Sequence, residues 1–111
     1  HHKARFVERC RAYGLAVPET AMADQPASAA VAASGRFVTK PAYSCSGRGV
    51  RFHPPGAPVP REPGLVVQAF VDGALCSTCT LAHDGRVQAT VVYRGAVMSG
   101  SVAVCFERID Q

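Results

Sequence analysis

A β-type segment that ends in a lysine and a proline, and then opens into a glycine-rich loop, constrains the fold of this chain most. Residues 37–39 are β-branched or aromatic and favour a strand, and Lys40 places a compact positive charge at its end. The loop at residues 44–49 holds two glycines and two serines, so its backbone N–H groups can approach an anion closely. Residues 49–53 then predict a second strand. The whole segment is therefore a predicted hairpin with a phosphate-binding type of loop at its tip.

A flexible hairpin tip with a solvated lysine would explain the same residues, and it stays open at this point. Lysine is rare in this chain: among the 12 basic residues only Lys3 and Lys40 are lysines. A coding bias toward arginine also explains that count. It does not explain where the two lysines lie.

Size and composition narrow the class of protein. A chain of 111 residues has room for one modest core, and it contains no apolar run of the roughly 20 residues that a membrane helix needs. The net charge of +4 comes from scattered arginines without an aromatic-interleaved basic motif, so we expect neither a nucleic acid nor a membrane as partner.

Five cysteines, an odd number, do not fit a disulfide framework. We expect reduced thiols and a cytoplasmic location. His1 and His2 resemble the end of a purification tag, so we expect no functional role for them.

The order of predicted elements is two helices followed by a series of antiparallel strands, which is an α+β pattern. The helices are predicted over residues 3–13, ended by Gly14, and residues 24–34, capped by Asp24. The Asp84-Gly85 pair predicts a two-residue hairpin turn, and the proline-rich residues 53–64 predict a surface connector. After the first hairpin, strands are predicted over residues 65–71, 75–82, 87–93 and 101–109.

This order of features resembles the ATP-grasp superfamily, and residues 72–78, DGALCST, are closest to its carbamoyl-phosphate-synthetase-like carboxylate–amine ligases. The resemblance covers nearly the whole chain. Residues 1–24 match a lead-in helix and extended segment, residues 25–71 the small subdomain with its glycine-rich loop, and residues 72–111 the first strands of the large subdomain. It implies an ATP-grasp fold fragment that binds ATP and activates a carboxylate as an acyl phosphate for attack by an amine.

The resemblance also implies which residues bind ATP. Lys3 matches the lysine that opens the family's first helix, and Lys40 matches the lysine of its VxKP-like motif, so both are expected at the phosphates. The segment VVQAFVDG resembles the linker between the subdomains, which lies along the adenine, with backbone groups of Ala69 and Val71 contacting the base. The expected loop residues over the phosphates are Ser44, Cys45, Ser46, Gly47 and Gly49, and the expected linker residues are Gln68, Ala69, Phe70 and Val71.

The family's Mg²⁺ ligands are expected beyond Gln111, so the resemblance implies Mg²⁺ without assigning it a residue here, and no catalytic residue is assigned. We expect a fragment that is inactive alone and whose exposed strand edges favour self-association. A noncatalytic nucleotide-sensing or interaction module is the alternative, because Leu75 stands where many members have a ribose-binding glutamate. A zinc site at Cys76 and Cys79 is disfavoured, since residues three apart on a strand point to opposite faces.

Overall fold

The computed structural model describes residues 2–100 and 102–109, and the chain divides into two compact units, His1–Val71 and Asp72–Gln111. The first unit contains two helices and a four-stranded antiparallel sheet, and the second contains a three-stranded antiparallel sheet. The predicted α+β architecture with antiparallel sheets is therefore confirmed. No helix among the described residues is long and apolar enough to cross a membrane.

The elements of the first unit, in chain order, are α1 (Lys3–Ala12), β1 (Thr20–Met22), α2 (Ala27–Ser34), β2 (Phe37–Pro41), β3 (Arg51–His53) and β4 (Leu65–Ala69). Its sheet has the strand order β1-β4-β2-β3, so strands distant in sequence lie side by side. Both helices precede the central strand β2, and the glycine-rich loop joins β2 to β3.

Successive side chains of each strand point to opposite faces of the sheet, and the two faces pack against different helices. On one face Phe37 and Val67, both fully buried, pack against α2 through Val31 and Ala32. On the other face Val66 packs with Ala4 of α1 and with Ala42 and Met22. Full burial of each large apolar side chain stabilises the fold by about 1.5–3 kcal/mol. Because Lys40 pairs with Val66 in register, Lys40 and Gln68 lie on the face that carries α1.

Local sequence signals located α1 well and α2 less well. The first helix ends at Ala12, and Gly14 adopts the left-handed φ of +73° that the prediction required. The second begins at Ala27, so the predicted Asp24 cap is wrong: its N-cap is Pro26, which makes no side-chain cap bond. The preceding turn is closed instead by Gln25, whose Oε1 accepts from the Met22 N–H, and by Ser28, whose hydroxyl lies 3.3 Å from the Ala23 carbonyl.

The second unit is a meander of β5 (Ser77–His83), β6 (Arg86–Ser99) and β7 (Val102–Arg108). The predicted hairpin turn is confirmed, since Asp84 and Gly85 connect β5 to β6 with φ values of +48° and +71°. Cross-strand pairs hold the sheet together, among them Arg94 with Glu107. Its described side chains are all exposed or half-exposed. Self-association through its strand edges stays a prediction.

Candidate functional site

Lys3 fastens the start of α1 to the base of the glycine-rich loop. Its backbone N–H donates to the Ala42 carbonyl at 3.0 Å. Its ammonium donates to the Pro41 carbonyl at 3.0 Å, to the Ser44 carbonyl at 2.8 Å and to the Ser44 hydroxyl at 2.9 Å. An ammonium has three N–H groups, so these contacts use its full donor capacity. Lys3 and Ser44 are both predicted site residues, and these hydrogen bonds connect them.

Lys40 is held by a different partner at the C-terminal end of β2. Its Nζ donates to Oε1 of Gln68 at 2.6 Å. The Gln68 Nε2 donates in turn to the Thr20 hydroxyl at 2.7 Å, and that hydroxyl donates to the Pro18 carbonyl at 2.8 Å. The strand register explains this chain, because Gln68 pairs with Thr20 across β1 and β4 and therefore shares its face.

The two lysines form a patch of uncompensated positive charge. Burial lowers the pKa of Lys40 below its ordinary value, and the nearby charge of Lys3 lowers it further. Within the part of the chain that the structure describes, neither ammonium forms an ion pair with a carboxylate. Two cations on one face with no carboxylate partner favour an anionic ligand, since phosphate oxygens would supply the missing negative charge.

The glycine-rich loop is exposed at its tip and closely packed at its end. Ser46, Gly47 and Gly49 have φ values of +53°, +70° and +73°, and backbone bonds from Arg48 to Cys45 and from Val50 to Gly47 form its turns. A Cβ placed on Gly49 would lie 2.9 Å from Cγ and Cδ of Pro41. Glycine is therefore required there for two reasons, its left-handed backbone and its contact with the proline ring.

The linker residues continue directly from Gln68. The N–H of Ala69 donates to the Glu19 carbonyl at 2.8 Å, and the N–H of Phe70 donates to the Arg36 carbonyl at 2.9 Å. The Phe70 ring lies 4.5 Å from the Arg36 guanidinium. Because the Ala69 N–H is already used, the backbone group that Ala69 can offer a ligand is its carbonyl oxygen. Val71, the last residue of the first unit, is exposed.

An aromatic cavity of about 250 Å³ lies beside this linker. Phe52 and Phe70 meet there edge to face at 5.9 Å between ring centres. Phe52 pairs with Val38 in register, so it lies on the same face of the sheet as Lys40. The lining residues are Arg36, Phe37, Phe52, His53, Pro54 and Phe70.

The predicted site residues thus fall into three groups. Lys3 with Ser44, and Lys40 with Gln68, are joined by hydrogen bonds. Four form the exposed part of the loop, namely Cys45, Ser46, Gly47 and Gly49, and three follow Gln68 at the end of β4, namely Ala69, Phe70 and Val71. Sequence reasoning missed Thr20, because its strand has three residues and is defined only by pairing with β4.

The cysteines do not assemble into a site. All five are free, and Cys76 and Cys79 are exposed. Among residues 2–100 and 102–109 there is no group of three or more His, Cys, Asp or Glu side chains that could hold a metal ion. No described residue is therefore assigned to Mg²⁺.

Comparison with protein families finds a match over most of the chain. A family model described as an ATP-grasp domain matches residues 1–106, nearly the whole chain. The match includes both lysines, the glycine-rich loop, the linker and most of the second sheet. No curated protein and no solved structure matches the chain.

Proposed function

The chain belongs to the ATP-grasp family, and we propose that it is the ATP-binding part of a ligase that activates a carboxylate as an acyl phosphate for attack by an amine. Membership of the family supports ATP as the bound nucleotide. The small residues at 72–78 support a carbamoyl-phosphate-synthetase-like member. The observation that carries the proposal is the pair of ammonium groups, Lys3 and Lys40, next to the glycine-rich loop and without a carboxylate partner among the described residues.

In this proposal the charges of both lysines attract the triphosphate, and Lys40 contacts it directly. Lys40, half-buried and held by a neutral side chain, donates charge-assisted hydrogen bonds to phosphate oxygens. Lys3 adds a second positive charge from α1. The exposed loop residues 45–49 close over the phosphates with backbone N–H groups other than that of Arg48, which donates to the Cys45 carbonyl. Phosphoryl transfer depends mainly on positioning and charge stabilisation, which is the chemistry that these groups supply. The proposal assigns no residue to Mg²⁺, because the described residues contain no group of three or more His, Cys, Asp or Glu side chains that could hold a metal ion.

The adenine is proposed to lie at the end of β4. The Ala69 carbonyl and the Val71 N–H would present one acceptor and one donor to the edge of the base, which carries a matching donor and acceptor. The cavity formed by Phe52 and Phe70 offers aromatic surface close by. The Ala69 N–H takes no part, since it is bonded to Glu19.

A noncatalytic nucleotide-sensing module on the same scaffold is the second candidate. Leu75, which stands where the family often has a ribose-binding glutamate, is 83% exposed and offers no acceptor for a sugar hydroxyl. Release of inorganic phosphate from ATP in the presence of carboxylates, by a protein that contains this chain together with the expected Mg²⁺ ligands, would favour the ligase. Saturable binding of ATP by that same protein without any turnover would favour the sensing module.

Calorimetric titration with ATP, adenosine and inorganic tripolyphosphate tests the proposed site. The Lys40→Met variant should raise the dissociation constants for ATP and tripolyphosphate by roughly 10- to 100-fold, since a hydrogen bond to a charged group contributes about 1.5–3 kcal/mol. Adenosine binding should change little. Arg86→Met, which removes an exposed cation from β6, is the matched control. Absence of saturable ATP binding by the folded wild-type chain would overturn the proposal.

A further inference from the structure

We propose that Gln68 is the positioning residue for Lys40: its neutral amide fixes the ammonium in place through one hydrogen bond and leaves the whole positive charge available to an anionic ligand. The inference rests on the proposed role of Lys40 at the phosphates of ATP. The Gln68 side chain thereby has a second task beside its expected place along the adenine.

The donor and acceptor of each hydrogen bond in the series from Pro18 through Thr20 and Gln68 to Lys40 are determined by the Pro18 carbonyl. The Pro18 carbonyl can only accept, so the Thr20 hydroxyl donates its single hydrogen there. The same hydroxyl oxygen must then accept from the Gln68 amide nitrogen, 2.7 Å away. This leaves the amide oxygen facing Lys40 at 2.6 Å. A flipped amide would place an NH₂ group against an ammonium and a carbonyl against a hydroxyl with no hydrogen left to give.

The neutral amide of Gln68 matters because no described carboxylate on this face of the sheet offsets the charge of Lys40. From α1, Lys3 faces it with a like charge. From β4 and β1, the facing groups are Gln68 and Thr20, which are both neutral. From β3, Arg51 pairs with Thr39 and so lies on the opposite face, where its partner is Glu62. A carboxylate at position 68 would form an ion pair with Lys40 and compete with the ligand for its charge. An apolar side chain there would leave the ammonium without its anchor.

Two substitutions at Gln68 change the charge and the hydrogen bond separately. Gln68→Leu removes the acceptor, and the pKa of Lys40 should fall further, because a hydrogen bond to the charged form is lost. Gln68→Glu supplies a carboxylate, and the pKa of Lys40 should rise. The chain contains only two lysines, so NMR titration of isotope-labelled lysine side chains reads both, with Lys3→Arg to assign them. Gln88→Glu makes the same charge change at an exposed position of β6 and should leave the pKa of Lys40 unchanged.

ATP binding provides the second readout. Both Gln68 variants should weaken binding at neutral pH by roughly tenfold, Gln68→Leu through lost positioning and Gln68→Glu through competition for charge. The pH at which binding declines on the alkaline side should move down in Gln68→Leu and up in Gln68→Glu. A merely structural role for Gln68 would not move the two profiles in opposite directions. Thr20→Val removes the hydroxyl that accepts from the Gln68 amide and leaves Gln68 itself unchanged. It should therefore act like Gln68→Leu but more weakly.

The outcomes distinguish this inference from the proposed function. If the folded wild-type chain binds no ATP but the two variants shift the pKa of Lys40 in opposite directions, the proposed function fails and the positioning of Lys40 by Gln68 stands. If ATP binds and depends on Lys40, but neither Gln68 variant alters that pKa or the affinity, the inference is overturned. Shifts in the same direction in both variants would also overturn it.

Discussion

The Nζ atom of Lys3 donates to two oxygen atoms of the same residue, the carbonyl oxygen and the hydroxyl of Ser44, at 2.8 and 2.9 Å. A third hydrogen bond from the same atom goes to the carbonyl oxygen of Pro41. The residues joined are 41 positions apart, so one side chain connects the first turn of α1 to the start of the glycine-rich loop. The loop is thereby held at its base while its tip remains exposed.

Replacement of Lys3 by methionine should loosen the loop. Charge-assisted hydrogen bonds contribute about 1.5–3 kcal/mol each, so amide hydrogen exchange over residues 42–50 should accelerate by roughly tenfold or more. Arg9→Met, which removes an exposed cation from the same helix, should leave this exchange unchanged. Equal exchange rates in wild type and Lys3→Met would contradict the anchoring role.

Alanine at Gly49 should destabilise the first unit more than alanine at Gly56. Both glycines have nearly the same left-handed φ, +73° and +74°, so both substitutions incur about 1–2 kcal/mol of backbone strain. Only at Gly49 would the new Cβ overlap a neighbour, the ring of Pro41, whereas nothing lies within 4 Å at Gly56. The overlap should add about 1–3 kcal/mol, measurable by urea unfolding. Equal losses at the two positions would count against close packing of the loop on Pro41.

The lowered pKa of Lys40 makes stability and ligand binding respond to pH in opposite directions. Between its folded-state pKa and the ordinary value of 10.5, the unfolded chain binds more protons at this group, so its contribution to the free energy of unfolding rises with pH. ATP binding should weaken over the same window, because Lys40 loses its charge. In Lys40→Met both of these pH dependences should be reduced. Unfolding and titration measured in parallel on both proteins test this, and identical pH profiles would exclude Lys40 as their source.

A buried hydroxyl on the α2 side of the sheet offers a separate test of the fold. The fully buried Thr39 has its Oγ1 2.9 Å from Nε2 of His53, whose ring stacks on Phe37 at 4.7 Å. Thr39→Val should cost about 1 kcal/mol of stability. In a His53→Phe background, which keeps an aromatic ring on Phe37, the same substitution should cost much less. A double-mutant cycle measures the difference, and a coupling energy of zero would show that the contact is energetically silent.

The sequence predicted the parts of the fold and site that depend on local residues. The strand that contains Lys40, the Asp84-Gly85 turn and the end of α1 before Gly14 each follow from neighbouring residues. Two features depend on distant pairing and could not be predicted in this way. One is β1, which is stabilised by β4 more than 40 positions later. The other is the orientation of the Gln68 amide, which follows from Thr20 and Pro18.

The uneven distribution of buried side chains has a thermodynamic consequence. Among residues 2–100 and 102–109, every buried side chain lies between Ala4 and Val67, and the second sheet contributes none. The heat-capacity change of unfolding arises mainly from the hydration of newly exposed apolar surface. It should therefore come mainly from the first unit, and calorimetry of the whole chain should give less than the usual value of about 12–15 cal/mol/K per residue.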